Sequence, residues 1–130
     1  MVSAMVQQTQ QLYEQVVQEL RARLVAELGT ELEAVVLYGA VARGEANEDS
    51  DIDLLIIARN KRTIYNRIFD ITFEIDLKYE TLTTFILHTP EEFRDLCTRG
   101  EPLLQEVLRV GKAIYGKEKL RRYQRALQTG

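Results

Sequence analysis

The chain has 130 residues, 45% of them apolar and 28% charged, with a net charge of −3 and one cysteine. That length suits a single compact domain burying roughly two-thirds of its unfolded surface. The acidic balance offers nucleic acid no overall attraction and no basic groove is evident, which argues against a polymerase or a direct nucleic-acid binder.

Cys97, alone, excludes an intramolecular disulfide, fits a reducing cytoplasm and reads as a small buried hydrophobe rather than a nucleophile. The opening residues are too polar for a signal peptide, and no apolar run reaches membrane-spanning length. A cytoplasmic protein without a membrane partner is expected.

In chain order, Leu12, Val16, Leu20, Leu24 and Leu28 recur every four residues, and Val17 and Val25 widen the stripe. This predicts an amphipathic helix from about Gln7 to Leu28, closed at Gly29. Leu32–Tyr38 reads as a first strand ending in a turn at Gly39, and Asp51–Ala58 as a second, after which Asn60 can cap a helix. The segment Arg62–Tyr79 fits two periods. Ile64, Ile68, Ile71 and Ile75 form a helical stripe, whereas Ile71, Phe73, Ile75, Leu77 and Tyr79 alternate as a strand would. Its length favours helix to about Tyr79. Thr81–His88, rich in β-branched residues, is then the third strand.

Thr89-Pro90-Glu91-Glu92 is a helix-start signature, predicting a helix to about Leu96. Gly100 breaks the chain and Pro102 opens another helix through Leu108. Ala113–Tyr115 reads either as a small edge strand or as core cover, and the basic Lys117–Gln128 as a final helix or a frayed end.

The segment between the first two strands carries the chemistry. Asp51 and Asp53 stand two residues apart, so on a strand their carboxylates share a face. Paired carboxylates repel unless a cation compensates, and hard oxygen ligands of this kind suit Mg²⁺ or Mn²⁺ together with substrate phosphates. Glu45, Glu48, Asp49, Asp51 and Asp53 lie within nine residues without a base, so a triphosphate and its metal should arrive together. Gly39 and Gly44 leave backbone amides open to phosphate. These features read as a metal-dependent nucleotide site.

Gly39-Ala40-Val41-Ala42-Arg43-Gly44, then five residues, then Ser50-Asp51-Ile52-Asp53-Leu54, resembles the signature of the polymerase-β-like nucleotidyltransferase superfamily. The nearest likeness is to the minimal nucleotidyltransferases of prokaryotes, often paired with an α-helical HEPN protein. One position departs, Ala40, where the family usually has Ser or Gly, so a phosphate-touching hydroxyl is missing. The resemblance implies an α/β (α+β) nucleotidyltransferase fold over residues 1–130, with a small mixed sheet of three to four strands flanked by helices.

It further implies that Asp51 and Asp53 are the catalytic metal ligands, holding Mg²⁺ or Mn²⁺ against ATP or another NTP. Gly39 and Ala40 would offer amides to the β- and γ-phosphates, with Gly44 completing the turn. Ser50 would touch phosphate or cap the turn; Arg43 would pair with phosphate or brace the turn against Glu45 or Asp49.

Active members of the superfamily usually take a third carboxylate from a neighbouring strand. Thr81–His88 has no acid. Asp76 could serve, beside Glu74, only if Ile71–Tyr79 were the strand; on a helix both read as solvated surface acids. His88, the one histidine, reads as a packing or surface residue, and Tyr38 as rim packing.

Two functions follow. One is transfer of a nucleoside monophosphate, AMP from ATP, to a hydroxyl on a partner protein, as the antitoxin of a HEPN toxin pair. The other is a catalytically degenerate binding module acting by contact. So short a chain has no acceptor domain of its own, so acceptor recognition comes from a partner or a homo-oligomer face.

Overall fold

The computed structural model describes residues 2–128, with side chains described from residue 8 to residue 124. In order come α1 (Val2–Leu28), a 3-10 turn (Gly29–Glu31), β1 (Leu32–Tyr38), α2 (Gly39–Ala42), β2 (Ile52–Ala58) and α3 (Lys61–Tyr79). Then follow β3 (Thr83–His88), α4 (Pro90–Thr98), α5 (Pro102–Val110), β4 (Lys112–Tyr115) and α6 (Lys117–Gln128).

The α1 stripe packs as its spacing requires, with Val16, Leu20 and Leu24 fully buried and Gly29 closing the helix at positive φ. Truncating one of these, Leu20→Ala for instance, would cost about 2–5 kcal/mol. Leu12 is the exception at 43% exposed. The 41–50 loop crosses α1 at Gln10 and Tyr13, and Tyr13 takes the inner position because its hydroxyl donates to the Ser50 carbonyl at 2.8 Å.

The sheet runs β3-β2-β1-β4. β1 is antiparallel to β2 and β4, while β2 and β3 are parallel, the crossover between them being α3. A parallel pair needs such a long connection. The alternation of β1 and β2 divides the core. Val35, Leu37, Leu54 and Ile56 face α1 and α3; Ala34, Val36, Leu55 and Ile57 face Phe93, Leu104, Val107 and Leu120 of α4, α5 and α6. The result is a mixed sheet with helices on both faces, as expected.

The helical reading of 62–79 holds. Ile64, Ile68, Ile71 and Ile75 are buried, whereas Phe73 and Leu77, inward on the strand pattern, face solvent. Ala113–Tyr115 lies in edge strand β4, and Lys117–Gln128 is helix. Thr89 and Glu92 form a reciprocal capping box at α4. Asn60, however, does not cap α3. It sits in the left-handed region, φ 56°, and its amide donates to Glu31 at 3.2 Å instead.

One buried charge had no signal in the sequence. Glu33, 1% exposed, sits at an irregularity in the β1–β2 register and pairs with Arg59 at 2.8 Å and with Lys119 of α6. Burial alone would raise its carboxyl, but the Lys119 and Arg59 hydrogen bonds outweigh it and hold the group below the usual glutamate range. None of the described helices is long and apolar enough to cross a membrane.

Candidate functional site

The site forms where β1 ends and β2 and β3 begin. Tyr38 is paired with Asp53, and Asp53 with Thr84, so β2 presents Asp53 between its two neighbours. One Asp53 oxygen accepts from the Thr84 hydroxyl at 2.7 Å. The other presses against Gly39, so closely that a Cβ at position 39 would overlap it. Gly39 also has φ +77°. Both facts demand glycine.

Asp51 lies just before β2 and is exposed; Asp53 is partly exposed, and neither makes an ion pair with a described cation. Their neighbours feel the charge. Burial, then Asp53, raises the Tyr38 phenol; burial, then Asp51, Asp49 and Glu48, raises that of Tyr13.

The other expected residues divide. Gly39 and Ala40 open α2, where the first amides of a helix lack intrahelical partners. The Gly44 amide, by contrast, donates to the Val41 carbonyl at 3.2 Å, and Gly44 serves the turn through its φ of +74°. Ser50 Oγ accepts from the Asn47 amide at 2.9 Å, capping the loop. Arg43 pairs with Glu45 at 3.1 Å, both side chains half-exposed or more, so the guanidinium braces the turn on the surface. An exposed pair of this kind holds it weakly.

Among the described residues no third acid joins Asp51 and Asp53. The β3 position beside Asp53 is Thr84, and among the described residues no group of three or more His, Cys, Asp or Glu side chains converges. Asp76 accepts from the Thr81 hydroxyl and from both the amide and hydroxyl of Thr83, each at 2.8 Å, and so fastens the end of α3 to the start of β3. Glu74 pairs with Arg23 of α1 at 2.7 Å. His88 pairs with Ile57, at the far end of β3 from Thr84. Its ring is partly buried, and burial lowers its pKa and favours the neutral form. Cys97 is partly buried, and burial raises its thiol.

Two positioning residues escaped sequence reasoning because α1 reads only as an apolar stripe. Gln10 donates to the Val41 carbonyl at 2.9 Å and accepts from the Ala46 amide at 3.0 Å, and Tyr13 holds Ser50. Together they clamp both ends of the acidic loop. The only signal was their place, one turn apart, on the side of α1 facing the motif.

The family model "Polymerase beta, Nucleotidyltransferase" matches residues 18–120, most of the chain, including the whole Gly39–Asp53 motif and Thr84. The chain belongs to that nucleotidyltransferase family. It is 34% identical over 108 residues to a candidate protein adenylyltransferase, MJ1305 of Methanocaldococcus jannaschii, covering 79% of this chain and 71% of that one. A second candidate protein adenylyltransferase of that organism, MJ0141, is 30% identical over 76 residues, 57% of this chain and 77% of its own. Among solved structures, a toxin–antitoxin crystal structure with AMP-PNP aligns at TM-score 0.53 and 17% identity, over 85% of this chain and 89% of that one. That likeness concerns the fold.

Proposed function

We propose that this nucleotidyltransferase, acting as one minimal domain in the cytoplasm, moves AMP from ATP to a hydroxyl on a partner protein. The partner of this reading is a toxin encoded beside it, a small helical protein of HEPN type. The observation that carries it is Asp53 held between Gly39 and Thr84, with Asp51 exposed two residues before it and, among the described residues, no cation paired to either. Relatives named as candidate protein adenylyltransferases, and a fold shared with a toxin–antitoxin structure, support the choice of acceptor.

The donor set fits a hard divalent cation: one exposed and one partly exposed carboxylate, hard oxygens of the kind that bind such an ion together with water and phosphate. Asp51 and Asp53 would hold Mg²⁺ or Mn²⁺, which when bound supplies charge neutralisation at the α-phosphate. The chain's own residues do the rest. The Gly39 and Ala40 amides receive the β- and γ-phosphates, and Thr84 orients the Asp53 carboxylate. Gln10 and Tyr13 keep the acidic loop from swinging into the phosphate path. The acceptor oxygen forms a bond to the α-phosphorus as the bond to the β-phosphate breaks, and pyrophosphate leaves. The acceptor's proton goes to a group on the acceptor protein or to water, since Thr84 stands where a base would be.

That threonine equally favours a second reading, a degenerate module that inhibits its partner by contact alone. The two are separated by incubating radiolabelled ATP and Mg²⁺ with this chain and the protein encoded by the adjacent gene. Transfer should need the metal and vanish in Asp51→Asn/Asp53→Asn with the fold intact by circular dichroism. ATP should also bind more weakly to the wild-type chain without metal. Inhibition of the partner without labelling would leave the contact reading standing and remove the enzymatic one.

A further inference from the structure

Helix α3 bears a second apolar stripe beside the one that faces the core. Tyr65, Phe69, Phe73 and Leu77 recur every four residues on its outer side, and Leu82 extends the stripe; all are about half exposed or more. Phe69 and Phe73 stack with ring centres 6.1 Å apart, and Tyr65 leans on Phe85 of β3 at 5.2 Å. Tyr65, Phe69, Phe73 and Leu82, with Thr84 and Phe85 of β3, line an open groove of about 350 Å³ between α3 and the edge strand β3. A contiguous exposed patch of this kind does nothing for the fold and marks a contact surface.

Its position relative to Asp53 narrows the occupant. β2 lies between β1 and β3, and the two Asp53 oxygens face opposite ways, one toward Gly39 and one toward the Thr84 hydroxyl. In-line displacement puts the attacking group opposite the leaving pyrophosphate. With phosphates at the Gly39 turn, the acceptor approaches from the β3 side. Thr84 belongs to both places, bonded to Asp53 and lining the groove.

The lining carries no basic side chain. Its one acid, Asp76, already accepts from Thr81 and Thr83. A sugar-phosphate acceptor would find no cation there. Around it the charge is mostly negative: Asp70 of α3, Glu80 at its end, and Glu48, Asp49 and Asp51 on the loop are exposed and without ion pairs among the described residues, against Arg62 and Arg67 of α3.

We infer that the α3/β3 groove is the docking site of the acceptor protein, which lays an apolar helical segment flanked by Lys or Arg along Tyr65, Phe69, Phe73 and Leu82. A helix face with anchors every three or four residues is the usual complement of such a stripe, and flanking bases complement the acidic rim. This rests on the preceding reading that the acceptor is a protein.

The test uses Phe69→Ser/Phe73→Ser, with Phe69→Leu/Phe73→Leu as the conservative control and melting curves to check folding. The probe is the protein encoded by the adjacent gene, its binding measured by calorimetry alongside Mg²⁺–ATP affinity and oligomeric state. The serine variant should bind the probe at least about tenfold more weakly, the leucine variant should recover most of that, and ATP affinity and oligomeric state should not move. Undiminished binding, or no binding by the wild-type chain, overturns the proposal. So does a fall in ATP affinity, which would make the groove a base pocket, or dissociation of a dimer, which would make it a self-contact. Docking lost with the serines, while no label moves even in the wild-type pair, keeps the groove and removes the transferase reading.

Discussion

Replacing Gly39 by alanine tests whether the turn and the Asp53 carboxylate form one device. Two costs add at this position. An L-residue at φ +77° loses roughly 1–2 kcal/mol relative to glycine. The new Cβ also overlaps an Asp53 oxygen, so the carboxylate must leave its rotamer at about 0.5–1.5 kcal/mol and release Thr84 at about 0.5–1.5 kcal/mol more. The sum is about 2–5 kcal/mol, or roughly 7–18 °C in Tm for a domain of this size. Gly44→Ala isolates the first cost. Its φ is +74°, yet nothing lies within 4 Å of the added Cβ, so a loss of about 1–2 kcal/mol, roughly 3–7 °C, is expected there. Thermal unfolding by circular dichroism measures both variants, and calorimetry measures Mg²⁺–ATP binding. Gly39→Ala should melt lower and lose metal-dependent binding, while Gly44→Ala keeps it. Equal melting temperatures with nucleotide binding preserved in both would refute the coupling of turn and carboxylate.

Glu33 sets an acid limit. Its folded pKa lies below the unfolded value, so its ionised form stabilises above the ordinary glutamate range, and that contribution disappears as pH falls through the folded pKa. Denaturant midpoints from about pH 7 to about pH 3 should fall more steeply for the wild type than for Glu33→Gln, and parallel curves would exclude Glu33 as a cause. Asp76→Ala removes the acceptor of three hydrogen bonds and should cost about 2–4 kcal/mol. Its Mg²⁺–ATP affinity should stay within about twofold of wild type; a tenfold loss would make Asp76 a ligand after all. Tyr13→Phe deletes the hydroxyl that holds Ser50 and should cost about 1 kcal/mol while speeding amide exchange in the 41–50 loop. Unchanged exchange would show that α1 does not clamp it.

The sequence by itself determined the elements and the motif. Four-residue spacing marked α1, a β-branched run marked β3, and Thr89-Pro90 marked the start of α4, because these signals depend on residues within a few positions of one another. The Gly39 to Asp53 spacing was legible for the same reason. It named the paired carboxylates before any contact between them and the turn was known.

Tertiary structure decided what required the chain to return on itself. Only the parallel pairing of β2 with β3 put Thr84 beside Asp53, and only the packing of α3 left Asp76 fastening β3 instead of facing the motif. Gln10 and Tyr13 looked like ordinary helix residues until the loop, more than thirty positions away, crossed them. The Phe69 and Phe73 stripe was hidden by a sequence whose alternation also fitted a strand. Local pattern fixes which face of an element is apolar; the partner each face meets depends on contacts far apart in sequence, whose selection is a property of the whole core.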